Sequence, residues 1–153
     1  MHELQPLLAL LSQAESERDA AQAHQQRMQE AVNAAKAQAE QLLAYRREYE
    51  QRWGERFASQ GQIELVHAYH GFVVRLNQAV DHQARSAEQA ARQFERAREA
   101  LIQQEMRVAS VRKLIERRLT EIERRGAQRE QRQLDELASR AAWNRLAAAT
   151  TRF

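Results

Sequence analysis

The feature that most limits what this chain can become is an unbroken apolar repeat from Val66 to Ile122. Stepping along it in alternating threes and fours meets Val66, Tyr69, Val73, Leu76, Val80, Gln83, Ala87, Ala90, Phe94, Ala97, Leu101, Gln104, Val108, Val111, Ile115, Arg118 and Ile122. Fourteen of these seventeen positions are apolar. A mean spacing of about 3.5 residues keeps one narrow apolar seam on one side of a slightly underwound helix, the requirement for a left-handed coiled coil. The intervening residues are mostly Arg, Glu, Gln and Ala, which suit a solvated face. A seam this long needs a partner helix of similar length, and the most economical partner is the preceding chain.

That preceding chain carries a weaker matching seam. Leu4, Leu8 and Leu11 open it, and Ala14, Ala21, Met28, Val32, Ala35, Ala39, Leu42, Tyr49 and Trp53 continue it, with Arg18, Gln25 and Arg46 as interruptions. Between the seams lies the clearest turn signal, Gly54 to Gly61. Gly54 is expected to stop the first helix, because glycine takes a left-handed cap conformation without steric cost. Ser59 followed by Gln62 reads as a capping box that starts the second. The expected architecture is all-α: one antiparallel, left-handed coiled-coil hairpin whose C-terminal helix overhangs. Its arms cover about 4–53 and 62–125, and a basic tail helix covers about 126–153. With the turn near Ser59, residue i faces roughly residue 118 − i and each arm is ~80 Å long. The start of the chain then lies opposite about residue 117, so the remainder of the second helix has no intrachain partner.

Composition fits this expectation and excludes several alternatives. The chain has 153 residues, 29% of them charged, with four Gly and one Pro. Such helix-forming composition with apolar residues confined to a stripe argues for one extended helical domain rather than a globular core. There is no Cys, which removes disulfides and thiolate metal sites. The apolar run Leu7–Leu11 is too short for a signal segment, and nothing approaches the ~20 apolar residues of a membrane span. A cytoplasmic, non-spanning protein is expected. No nucleotide-binding loop, nucleophile elbow or ligand cluster is present. The acids and bases lie on exposed helix faces, where nothing excludes water to shift their pKa values. The reading is therefore not an enzyme, with no cofactor and no metal; His67 and His70 share a helix face but lack further ligands.

Two regions stand out from the repeat. Six of the nine aromatics (Tyr45, Tyr49, Trp53, Phe57, Tyr69 and Phe72) cluster beside the turn. Tyr45 and Phe72 each lie one step off the seam. With Gln38, Leu42, Leu76, Ala79 and Gln83 they form two facing rows, wider than two helices need to cover each other. Such a face either plugs the end of the hairpin or docks another protein, since aromatic anchors dominate binding hot spots. Gly71 is a candidate point of close helix approach. The second region is the C-terminal segment: residues 112–153 hold 11 basic and 6 acidic side chains. Gly126 allows a bend there, and Leu134, Leu137, Ala141 and Leu146 continue a short stripe. A basic helix of this kind meets nucleic acid, anionic lipid or an acidic protein surface, unless its charge merely solvates it.

The segments Tyr45-Arg46-Arg47-Glu48-Tyr49, Phe72 with Leu76, Ala79 and Gln83, Lys113 to Arg118, and Gln131 to Arg140 together resemble the FliJ family. These are soluble components of the bacterial flagellar type III export apparatus, and the likeness covers nearly the whole chain. The resemblance implies an antiparallel two-helix stalk like the gamma subunit of rotary ATPases. It implies that the end carrying both termini enters the hexameric export ATPase (FliI) and promotes its assembly. The turn-side half would contact the cytoplasmic domain of the export gate FlhA, and export chaperones would be further partners. Carried over by position, the gate-binding residues are Gln38, Leu42, Tyr45, Tyr49, Phe72, Leu76, Ala79 and Gln83. Several family members carry a ring or imidazole where Gln83 lies. The basic overhang nominates Arg117, Arg118, Arg124, Arg125, Asp135 and Glu136 for the ATPase contact. The implied location is cytoplasmic, at the periphery of the inner-membrane export apparatus. Rival readings are the equivalent stalk of a virulence secretion system, a generic basic coiled-coil scaffold, and a nucleic-acid binder. The last would release phosphate steeply with salt, and the resemblance implies no nucleic-acid partner.

Overall fold

The computed structural model describes residues 2–59 and 63–151. Among these residues there is no strand. A short 3-10 turn at His2–Leu4 leads into α1, Gln5–Ser59, and the remainder is α2, Ile63–Thr150. The two long helices pack against each other as the all-α hairpin expected from the repeat. By compactness the chain falls into two units, Glu15–Met106 and Met1–Ala14 with Arg107–Phe153.

The seam is what the helices bury. Of the seventeen repeat positions on α2, all except Val66 and Arg118 are at least partly shielded. On α1 the same holds for every seam position except Leu8, and even the interrupting Arg18, Gln25 and Arg46 are half-buried. Within Glu15–Met106 the buried residues are Val32, Leu76 and Ala97; within the other unit they are Leu4, Ala14, Val108 and Val111. Two of these seven, Ala14 and Ala97, are alanines. Small side chains let helix backbones approach closely, but each removes little apolar area from water.

Pairing within Glu15–Met106 is antiparallel. Gln83 Nε2 donates to Gln38 Oε1 at 3.0 Å, Arg46 Nη1 to Asn77 Oδ1 at 3.3 Å, and the Trp53 and Tyr69 rings lie 5.5 Å apart. As the residue number rises on α1, it falls on α2. In these pairs the two residue numbers sum to 121–123, a few more than the expected 118. The connecting residues, with Gln62 of the expected capping box, lie outside the described residues.

Gly54 does not end the first helix. It lies within α1, which continues to Ser59, and no described glycine has a positive φ. The residues beyond it are compatible with helix, and Phe57 packs its ring 5.5 Å from Trp53 and 5.2 Å from Tyr69. Tertiary contact thus outweighs the roughly 1 kcal/mol helix penalty of one glycine. Gly126 likewise sits inside an uninterrupted α2. Gly71 is not a point of close approach: a Cβ built there would meet nothing within 4 Å.

In the unit containing both helix-terminal segments, Glu3 Oε1 lies 3.8 Å from Arg125 Nη1. His2 and Glu3 line a shallow hollow with Ile122, Arg125, Gly126 and Arg129. The start of the chain therefore pairs further along α2 than the expected position near residue 117. Arg117, Arg118 and Arg124 consequently belong to the stretch that runs alongside the first residues. Past Arg125 every described residue is exposed, including Leu134, Leu137, Trp143 and Leu146.

Three substitutions have stability effects that this packing determines. Gly54→Ala should raise stability by about 0.5–1 kcal/mol in urea unfolding followed by circular dichroism, since the position is helical and open; a loss would indicate a cap. Leu76→Ala should cost about 2–4 kcal/mol, because Leu76 is 7% exposed and truncation leaves a cavity in the seam. Leu134→Ala, at a position 61% exposed, should change stability by no more than about 0.5 kcal/mol.

Candidate functional site

The aromatic cluster is assembled by helix periodicity. Tyr45, Tyr49, Trp53 and Phe57 succeed one another at i, i+4 along α1, so each ring lies over the next turn. Tyr69 and Phe72 stand three apart on α2. Tyr49 is the hub: its ring centroid is 4.1 Å from Phe72, 5.8 Å from Trp53, 6.0 Å from Tyr69 and 6.3 Å from Tyr45. Tyr45 meets Phe72 edge-on at 6.5 Å, and Trp53 meets Phe57 at 5.5 Å. Separations in this range each contribute about 0.5–1.5 kcal/mol beyond area burial.

These rings do not all do the same work. Tyr49, Trp53, Phe57, Tyr69 and Phe72 are half-buried and join the two helices, whereas Tyr45 is 47% exposed. Tyr45 therefore presents a ring to solvent while its position is held by Tyr49 and Phe72. Leu76 is buried beneath this face, and Leu42 is half-buried. Gln38 and Ala79 are exposed. Gln83, half-buried, donates through Nε2 to Gln38 Oε1 at 3.0 Å and also to the Ala35 carbonyl oxygen at 3.4 Å. The structure thus brings the eight nominated residues onto one stretch of the hairpin. Of these, Leu76 is buried, Tyr45 is the exposed ring, and the two glutamines form a cross-helix clasp. Arg46 and Asn77 form a second cross-helix bond nearby.

A groove that the two-row reading overlooked lies beside this face. It is lined by Tyr45, Tyr49, Arg52, Trp53, Glu55 and Arg56. The Arg56 guanidinium carbon sits 5.5 Å from the Trp53 ring centroid, within range of a cation–π contact. The signal was present in the spacing, since Tyr45, Tyr49, Arg52 and Arg56 recur at steps of 4, 3 and 4. Mixing rings with charges concealed it from a search for apolar periodicity.

The basic set is arranged differently. Arg117, Arg118, Arg124 and Glu136 are exposed on α2. Arg125 bridges to Glu3 at 3.8 Å and to Glu121 at 3.3 Å, while Asp135 accepts a hydrogen bond from Gln131 Nε2 at 3.2 Å. A shallow hollow lined by Lys113, Glu116, Arg117 and Thr120 lies on the same helix. Along α2 beyond Arg125, the described bases Arg129, Arg132, Arg140 and Arg145 are interspersed with Glu130, Asp135 and Glu136. Much of the basic excess of the C-terminal segment therefore belongs to the paired stretch before it, not to the exposed helix beyond.

His67 and His70 are exposed, and among the described residues no group of three or more His, Cys, Asp or Glu could hold a metal ion. No helix of the described residues is long and apolar enough to cross a membrane. The described surface presents ring faces, guanidinium groups and amides on paired helices.

Comparison with known proteins bears on what such a surface is for. The chain matches the family model described as Flagellar FliJ protein over residues 2–147. No match was found among curated proteins or among solved structures. Because that model spans nearly the whole chain and its two packed helices, this protein belongs to the FliJ family and is a component of flagellar type III protein export.

Proposed function

We propose that this chain is a non-catalytic stalk of the flagellar export apparatus. It promotes assembly of the export ATPase ring (FliI) and couples that ring to the cytoplasmic domain of the gate FlhA. In this role it resembles the gamma subunit of rotary ATPases. It works on the cytoplasmic side, at the periphery of the inner membrane, and also meets export chaperones.

The observation that carries this reading is the ring face around Tyr45, left exposed on a helical hairpin of the FliJ family. Two helices have no need of an aromatic side chain projecting beyond their seam, whereas a protein partner has use for a rigid ring at low entropic cost. Gate docking then uses Tyr45, Tyr49 and Phe72 as anchors. Leu42 and Ala79 surround them, the Gln38–Gln83 clasp borders them, and Leu76 supports them from below. For the ATPase contact we assign the exposed Arg117, Arg118 and Arg124, together with Arg125, Asp135 and Glu136. These lie on α2 where charge, not apolar area, dominates. The family match supports the flagellar system over its virulence counterpart.

Tyr45→Ala combined with Phe72→Ala should weaken binding to the purified gate domain by at least about 30-fold, the effect of losing a hot spot worth roughly 2 kcal/mol. Helical content should be unchanged, because the seam beneath remains. Collapse of the circular dichroism signal would mean that the rings only plug the hairpin. Removing residues 127–153 should reduce stimulation of export-ATPase assembly, read by light scattering and turnover, while leaving gate affinity intact. Equal activity of the truncated chain would remove Asp135 and Glu136 from the ATPase contact.

A further inference from the structure

The groove beside the aromatic face carries a more specific conclusion about the partner, one that rests on gate docking at that face. We propose that the groove formed by Tyr45, Tyr49, Arg52, Trp53 and Arg56 receives a second part of the gate domain, an apolar side chain with a neighbouring carboxylate.

Three observations support this occupant. First, the groove is continuous with the proposed docking face, because Tyr45 and Tyr49 belong to both. A partner covering Tyr45 must also approach the groove. Second, its lining joins three rings to two guanidinium groups, with Glu55 as the single acid. An apolar floor with a net positive rim is complementary to an apolar side chain flanked by an acid. Arginine is suited to this role because its planar fork matches carboxylate geometry. Third, Arg56 lies over the Trp53 ring at 5.5 Å, and Trp53 is in turn held against Tyr49 and Tyr69 at 5.8 and 5.5 Å. One wall of the groove is therefore anchored to the seam, which lowers the entropy lost when a partner binds.

The surroundings argue against a polyanion. Glu48, Glu50 and Glu55 are interspersed with Arg46, Arg47, Arg52 and Arg56 along this part of α1. Two arginines among these acids suit one carboxylate better than a phosphate backbone or an anionic lipid surface, which reward an uninterrupted basic patch.

The test uses the full-length chain and the purified gate cytoplasmic domain. With Trp143→Phe as background, Trp53 is the only indole, so its emission reports directly on the groove. Titration should shift Trp53 emission. Arg52→Gln with Arg56→Gln should weaken gate binding about 10-fold and flatten its dependence on salt, with the melting curve unchanged. Arg52→Lys with Arg56→Lys keeps the charge but removes the planar fork, and should still weaken binding. Arg92→Gln with Arg96→Gln, on α2, should leave affinity unaltered. Gate binding that proceeds with unshifted Trp53 emission, or that tolerates the Arg52/Arg56 replacements, overturns this inference and leaves docking at Tyr45 and Phe72 standing. Equal weakening by the Arg92/Arg96 pair overturns it as well, by showing a diffuse charge effect. Failure of the unaltered chain to bind the gate domain removes both this inference and the function on which it rests.

Discussion

The mutual burial of two narrow seams is the constraint from which everything else follows. Each helix offers the other about two apolar positions per heptad, and in this chain only Leu4, Ala14, Val32, Leu76, Ala97, Val108 and Val111 are buried among the described residues. None of the described large side chains is fully enclosed. Stability is accordingly a sum of many modest contributions rather than the property of one core. A structure of this kind keeps most of its surface in water. It leaves little scope for chemistry that depends on a dehydrated pocket.

Within that frame, the aromatic region joins the two helices and also leaves a ring exposed. Tyr49 touches four other rings and draws α1 and α2 together, while Tyr45, one helical turn earlier, is positioned by the same contacts but left projecting. The cross-helix bonds Gln38–Gln83 and Arg46–Asn77 add polar pairings in the same stretch. Because these partners hold it, an exposed ring loses less freedom on binding than an isolated surface tyrosine would. The adjoining groove extends the same logic to charge, with Arg56 stacked on a tryptophan that is itself anchored.

The fold could be read from the chain almost wholly because a repeat of 3.5 residues, sustained from Val66 to Ile122, has one physical solution. The aromatic rows were also visible, since Tyr45 and Phe72 depart from the repeat by a single step. Local signals were less dependable. Gly54 has the conformational freedom of a cap, yet Phe57 beyond it gains ring contacts with Trp53 and Tyr69 by remaining helical. Gly71 has the size for close approach, yet it faces open space. Such residues permit a conformation without requiring it, and contacts distant in the chain decide the matter.

By itself, then, the order of residues determined that this protein is helical, that its helices pair along one seam, and that rings exceed what the seam needs. These are consequences of periodicity, which is a local property of a helix. Tertiary structure alone decided where α1 ends, that Glu3 meets Arg125, and that Arg52, Trp53 and Arg56 share a groove with Tyr45. Register between two helices depends on the whole run of side chains between them, which no local pattern along either helix fixes.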